Sequence, residues 1–389
     1  MSQKQFIYIL FVPFLLLGCK KHVSVNYRPQ YILDFSNTLN DTSTRLINKL
    51  KVISLKNNHD SVIISEVSKI IVEGNRLYIL DRKLSQLALF DTLGNFKQII
   101  GQVGTGPGEY QNIKDFVLKE NAIVVYTDIG KKLIFFDKAS TKYISQQRVP
   151  LFATLLFNKP GGFLFYINNN PATYESEAFN NAIWTNDKLE PIAYQFPFEK
   201  VKEITGMTGG ISDADNASYL YNPAFSDSIY SFDEKRIKLK YQVKFGNAVP
   251  SKFQNIDAFY ALPFEKGLSY SFLTPDFKET DHILLFNYQK NKHVDNFGIY
   301  FLKTQHFITQ RVVGSYSNYL FKIFDRVVGT NGDNFIFFIN PEKVNYLRTH
   351  NKRLFDEIKK ESSGEIDHVL SSLDVNSNPV IVLCKFNQL

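Results

Sequence analysis

From residue 51 onward the chain is a succession of short apolar runs, each ended by Asp, Asn, Gly or Pro. Leu77-Tyr-Ile-Leu80 passes through Asp81-Arg82-Lys83 to Leu87-Ala-Leu-Phe90, then through Asp91-Thr-Leu-Gly94 to Phe96–Ile100. Ala122–Tyr126, Asp128-Ile-Gly130, Leu133–Phe136, Asp137-Lys-Ala-Ser140 and Tyr143–Gln147 repeat that order. A weaker copy runs Phe163–Ile167, Ala182–Trp184, Asn186-Asp-Lys188 and Ile192–Gln195. A fourth runs Ser228–Phe232, Asp233-Glu-Lys235 and Leu239–Phe245. Short runs rich in β-branched and aromatic residues predict strands, because such side chains fit a pleated, half-buried surface. Asp and Asn close the turns between them by bonding their own backbone. The turn acids Asp91, Asp137, Asp187 and Asp233 stand 46, 50 and 46 residues apart. A period of about 45–50 residues holding four strands predicts the blades of an all-β propeller. One blade cannot bury both faces of its sheet, so blades must stack around an axis.

The later part of the chain fits less regularly. His282–Phe286 and Phe297–Leu302 predict the middle of a fifth blade, stretched by an insertion around Tyr260–Leu268. Asn334–Ile339 begins a sixth, and Val380–Phe386 is its last strand before the chain ends. That blade lacks an outer strand, whereas Lys51–Leu55 is a spare strand at the other end of the chain. The expectation is six four-stranded antiparallel blades over residues 51–389, closed by this N-terminal strand so that no sheet edge stays open. Seven shorter blades are the alternative. Asn340 as cap, Pro341 at the first helical position and apolar Val344, Leu347, Leu354 and Ile358 predict a helical insertion at 341–360.

Ahead of the repeats, Lys4 precedes an apolar run, Phe6–Leu17, too short to cross about 30 Å of hydrocarbon comfortably. Residues 1–18 therefore read as a signal peptide, outside the fold, and residues 19–50 as a polar N-terminus and tether. Leu16-Leu17-Gly18-Cys19 resembles the bacterial lipobox, which implies lipidation of Cys19 and a membrane partner through that lipid. Cys384 then has no partner within the chain and reads as a small buried hydrophobe.

Composition adds one clue and removes one class. Phe, Tyr and Trp make 15% of the chain, concentrated in the predicted strands, which points to aromatic packing between blades. The net charge is +7, but the basic residues are spread along the chain in short pairs such as Lys131-Lys132 and Lys359-Lys360. A nucleic-acid surface needs a concentrated basic stripe, so that partner is not expected.

The loop Gly104-Thr-Gly-Pro-Gly-Glu-Tyr110, leading to Phe116 and Val117, resembles the connection between NHL-type repeats. With the lipobox, Tyr221–Phe232 leading to Tyr241–Gly246, and Ser377–Leu383, the whole mature chain is similar to the six-bladed propeller lipoproteins of Bacteroidetes. The resemblance implies fold and an envelope location and supplies no catalytic residues. Surface display in that group goes with acidic residues after the lipidated cysteine. Lys20-Lys21-His22 stands here instead, which favours the periplasmic side of the outer membrane, with cell-surface exposure as the alternative.

No catalytic set emerges. The glycine loop lacks the closing Gly-Lys-Ser/Thr of a phosphate cradle, and no Gly-x-Ser-x-Gly elbow occurs. Asp213 and Asp215 hint at a calcium loop but lack its terminal glutamate, and no other cofactor is expected. The aspartates at strand ends read as turn formers. Glu109, Tyr110, Asp115, Trp184, Tyr219, Tyr221 and Tyr260 are the candidate rim residues for a ligand, with Tyr270 a further aromatic able to line a sugar cleft. The expected role is a binding or scaffold propeller taking a glycan, a peptide or an envelope protein. The alternative is a polysaccharide hydrolase or lyase with its site at the channel mouth.

Overall fold

The computed structural model describes residues 24–35, 46–56, 62–170, 179–199, 209–213, 218–290, 293–311, 320–361 and 364–388. Five four-stranded antiparallel sheets, and the four antiparallel strands of a six-stranded one, are the blades of a propeller. From the innermost strand a to the outermost strand d, blade one spans Lys69–Ile99, blade two Asp115–Arg148 and blade three Leu155–Pro197. Blade four spans Gly210–Lys244 and blade five Phe272–Arg311. Blade six takes Gly329–Asn331, Asn334–Ile339 and Val380–Phe386, and its outer strand is Ile47–Ser54 from the other end of the chain.

That closing strand pairs antiparallel with the last one, Val380 opposite Ser54 and Phe386 opposite Ile47, as the spare-strand argument expects. It starts four residues earlier than the apolar run Lys51–Leu55 suggests. Asn378 adds a second tie: its side-chain amide donates to the Val62 carbonyl and accepts from the Ile64 N–H, both at 2.9 Å.

Alternation along each strand sends successive side chains to opposite sheet faces, and the core divides accordingly. Leu77 and Ile79 enter the seam with blade six, whereas Tyr78 and Leu80 enter the seam with blade two. Each of the six seams holds its own apolar cluster. Cys384 is fully buried in the seam between blades five and six, and burial pushes its thiol pKa up.

The two faces of the ring differ. One face, here called lower, carries the a–b and c–d hairpin turns. Asp91 shows how such a turn is built: its Oδ1 accepts from the Leu93 and Asn95 N–H groups at 3.0 and 2.9 Å. The other face, here called upper, carries the b–c and d–a connections, and every helix of the described residues lies in one of these. The predicted insertion at 341–360 is three helices, Pro341–His350, Lys352–Glu361 and Glu365–Ser372. Asn340 caps the first, its Oδ1 accepting from the Glu342 N–H at 2.9 Å, and Val344, Phe355, Ile358 and Leu370 fill the seam between blades five and six.

Within the tether expected over 19–50, residues 24–35 lie against the ring. Ser24–Asn26 and Tyr31–Asp34 pair in parallel with Arg236–Lys244, adding a fifth layer to blade four. Leu33 is fully buried, Tyr31 stacks on Tyr241 at 5.2 Å, and Phe35 meets Phe245, Tyr288 and Phe307 at 5.0 Å each. This arm therefore clasps blade four to blade five. Residues 1–23, where a signal peptide and a lipidated Cys19 are expected, lie outside the described residues.

Candidate functional site

The inner strands line a central cavity of about 340 Å³ whose walls come mostly from the first residues of each strand a and from the upper-face connections. Lys69, which opens blade one, reaches across to blade two. Its Nζ donates to Asp115 Oδ1 at 3.0 Å and to the Phe116 carbonyl at 2.8 Å. Asp115 is fully buried and also accepts from the Leu156 N–H of blade three at 2.8 Å. One carboxylate thus ties three blades together. Arg82 Nε donates to the Lys114 carbonyl at 2.7 Å, joining blades one and two again. Arg326 pairs with Glu66 at 3.2 Å between blades six and one, and Lys278 of blade five with Asp213 of blade four at 3.3 Å.

Asp276 departs from this pattern. Blade five's inner strand loses register with its neighbour between Leu273 and Phe277, so Thr274-Pro275-Asp276 forms an irregular step. Such steps re-aim side chains and are where a strand tolerates proline. Gly210 allows the step to sit tightly against blade four, since a Cβ there would lie 2.3 Å from the Pro275 carbonyl oxygen. Among the described residues no hydrogen bond reaches the Asp276 carboxyl. Burial raises its pKa, with Arg326 and Lys278 opposing and Asp325 reinforcing the rise. Asp213 is shifted the other way, chiefly by the Lys278 ammonium. Its side chain is 67% exposed and lines the same cavity. Two carboxyl groups on neighbouring blades of one cavity therefore have pKa values pushed apart.

A second hollow of about 430 Å³ lies on the lower face between blades four and five. Arg236, Lys238 and Lys240 line it with Glu279 and Asp281. Lys240 pairs with Glu279 at 2.6 Å, and the Tyr241 hydroxyl bonds the same carboxylate.

Of the candidate rim residues, only Asp115 lines the central cavity. Glu109 folds back into its own loop, accepting from the Gly106 N–H at 2.8 Å, and this bond above all holds its carboxyl below the usual range. A Cβ at Gly104 would lie 2.1 Å from that carboxylate, so glycine there makes room for Glu109. Tyr110 is fully buried between blades one and two, its hydroxyl donating to the Ile100 carbonyl at 2.9 Å. Trp184, Tyr219 and Tyr221 are corrections to the rim assignment, since all three are buried in the seam between blades three and four. Trp184 Nε1 donates to Gln195 Oε1 at 2.8 Å, Tyr219 to the Asn158 carbonyl at 2.6 Å, and the Tyr221 hydroxyl accepts from Asn181 at 3.1 Å. Tyr260 is 44% exposed but belongs to a satellite cluster around Phe225 and Phe259 rather than to the cavity wall.

Sequence reading passed over Lys69, Asp276, Lys278 and Arg326. The one available signal was Pro275, a proline within a strand-like run. Among the described residues no group of three His, Cys, Asp or Glu side chains is placed to hold a metal ion, and Asp215 lies outside them.

Residues 31–385 match the family profile described as "Domain of unknown function (DUF4934)", and the chain belongs to that family. No curated protein sequence matches the chain. Among solved structures it is similar to a protein described as exported from Bacteroides fragilis NCTC 9343. The TM-score is 0.72 at 18% identity, covering 92% of this chain and 99% of that one. It is also similar to a member of the DUF4221 family from Bacteroides vulgatus ATCC 8482, with a TM-score of 0.55 at 10% identity over 88% of this chain and 98% of the other. At such identities the likeness is one of fold: a six-bladed propeller found in proteins of Bacteroides.

Proposed function

We propose that this DUF4934 member is a lipid-anchored envelope protein whose propeller binds a glycan, a peptide or an envelope protein at the upper mouth of its channel. The anchor is lipid on Cys19, and the side is the periplasmic face of the outer membrane. No helix among the described residues is long and apolar enough to cross a membrane. The observation that carries the binding reading is how the cavity's charges are used. Lys69, Asp115, Lys278 and Arg326 are committed to blade-to-blade bonds that make the wall rigid, while Asp276 holds a carboxyl without such a bond. A preformed, mixed polar and apolar cavity binds with little reorganisation.

The test is calorimetric titration of the purified protein with neutral oligosaccharides, acidic oligosaccharides and envelope-derived peptides. Asp276→Asn should weaken the bound class about tenfold or more, equivalent to about 1.4 kcal/mol, with an unchanged urea midpoint. Binding indifferent to this variant, or no binding to any class, counts against the reading.

A second reading, hydrolysis or elimination on a polysaccharide, is favoured by the opposed shifts of Asp213 and Asp276, since paired carboxyl groups with separated pKa values can divide acid and base roles. Product release from a glycan panel, lost in both Asp213→Asn and Asp276→Asn, would establish it. Failure of every glycan to yield product would remove it.

A further inference from the structure

The N-terminal arm fixes more than a seam. Ser24 pairs with Arg236 and Asn26 with Lys238, in parallel. Arg236 is the first residue of blade four's outer strand, directly after the c–d turn at Asp233-Glu-Lys235, so it stands on the lower face. The Ser24 N–H donates to the Lys235 carbonyl at 3.1 Å, which seats the start of the arm against that turn. The chain leading into Ser24 therefore arrives on the lower side. Only four residues, 20–23, separate Cys19 from Ser24. Fully extended, that connection reaches roughly 17 Å.

We infer that the docked arm holds the propeller on the bilayer lower face down, with the channel mouth and all the helical insertions turned away from the membrane. The inference rests on the Cys19 anchor proposed above. Three further features agree with a lipid surface as the occupant of the lower face near blade four. Among the described residues that face carries tight hairpin turns and no helix that would hold it off a plane. Lys235 and Lys238 are exposed beside the arm, and Lys20 and Lys21 stand in the connection itself, which suits anionic headgroups. Val25 and Tyr27 on the arm are 42% and 72% exposed, and an exposed tyrosine at this height matches an interfacial aromatic.

This orientation makes the two hollows unequal. The lower one, lined by Arg236 and Lys238, faces the headgroups, whereas the central cavity with Asp276 opens toward the soluble compartment. A ligand of the channel therefore comes from solution or from a partner protein, not from the membrane that carries the anchor.

The experiment uses the full lipidated protein in vesicles of phosphatidylethanolamine and phosphatidylglycerol carrying a headgroup-attached quencher. Single dyes are placed by Lys188→Cys and Lys303→Cys in lower-face turns flanking blade four. Lys83→Cys and Lys266→Cys report from upper-face connections, the latter on the same side of the ring as the arm. Cys384 is buried and stays unlabelled. Quenching should be at least about threefold stronger for the lower pair, since face-to-face separation is about 20 Å or more for strands of six residues. Inserting a twelve-residue Gly-Ser linker after His22 should erase the difference while leaving the protein in the membrane fraction. Equal quenching of the two faces, or an upper-face excess, overturns the orientation while the anchor stands. Recovery of the native protein in the soluble fraction, unchanged by Cys19→Ser, overturns the anchor and the orientation with it.

Discussion

Asn378 offers the sharpest test of how the ring is closed. It precedes the last strand and bonds two backbone groups of the segment that leads from the closing strand into blade one, more than 300 residues earlier in the chain. Asn378, Val62 and Ile64 are all under 9% exposed, so water cannot readily replace the amide. Asn378→Ala removes two hydrogen bonds and leaves a buried carbonyl and a buried N–H without this partner. At about 1–3 kcal/mol per orphaned group, tempered by partial water entry, the loss should be about 2–4 kcal/mol. With a urea slope of about 3 kcal/mol/M for a chain of this size, the midpoint should fall by roughly 1 M at unchanged slope. Hydrogen exchange adds a local readout, since the Ile64 amide should lose protection well before amides of blades two to four. Asn378→Asp separates the two bonds. Its carboxylate still accepts from Ile64 but faces the Val62 carbonyl, so it should be no better than alanine at pH 7. It should recover as the acid is protonated and can donate to Val62. An alanine variant with the wild-type midpoint and a protected Ile64 amide would refute the closure argument.

Three other outcomes are expected. Tyr78 is fully buried and its hydroxyl has no hydrogen-bond partner among the described residues, so Tyr78→Phe should be neutral or raise stability by about 1 kcal/mol, read from the urea midpoint. Asp91 has its pKa lowered from an ordinary 3.8, first by the Lys97 ammonium and then by Asn95. A carboxyl depressed in the folded state contributes stability that is present above its unfolded pKa and lost as pH falls toward the folded one. The stability gap between the native protein and Asp91→Asn should therefore be constant from pH 7 to about 5 and shrink below about 4, in denaturation curves taken across that range. Burial raises the Cys384 pKa, so iodoacetamide should label it only on unfolding, at a rate that reports ring opening; labelling of the native protein within minutes would contradict its burial.

The blade repeat was readable because its determinants are local. Asp91, Asp137 and Asp233 close their turns with bonds to backbone groups two to four residues on, and that preference travels with the residue type. Unbroken apolar runs such as Leu77–Leu80 announce two buried faces, and Asn340-Pro341 announces a helix start. Which face of which seam an aromatic enters is a different matter. Trp184, Tyr219 and Tyr221 look like cleft residues in a string of letters, but their rings meet across the seam of blades three and four, and only the stacking of the two sheets decides that.

The cavity chemistry was hidden for the same reason. Lys69 with Asp115, Lys278 with Asp213 and Arg326 with Glu66 are separated by 46, 65 and 260 residues. Stacking of neighbouring blades brings the first two pairs together, and closure of the ring the third. Asp276 shows its state only because a register shift turns it into a space that burial, Lys278 and Arg326 then define.

By itself the sequence determined the repeat, the strand content, the spare strand that closes the ring and the lipobox-like start, all carried by contiguous residues. The tertiary structure alone decided that residues 24–35 are no free tether but a clasp on blades four and five. Parallel pairing between two segments some 210 residues apart is written in neither of them. Its stability comes from burying Tyr31, Leu33 and Phe35 against side chains that other blades supply.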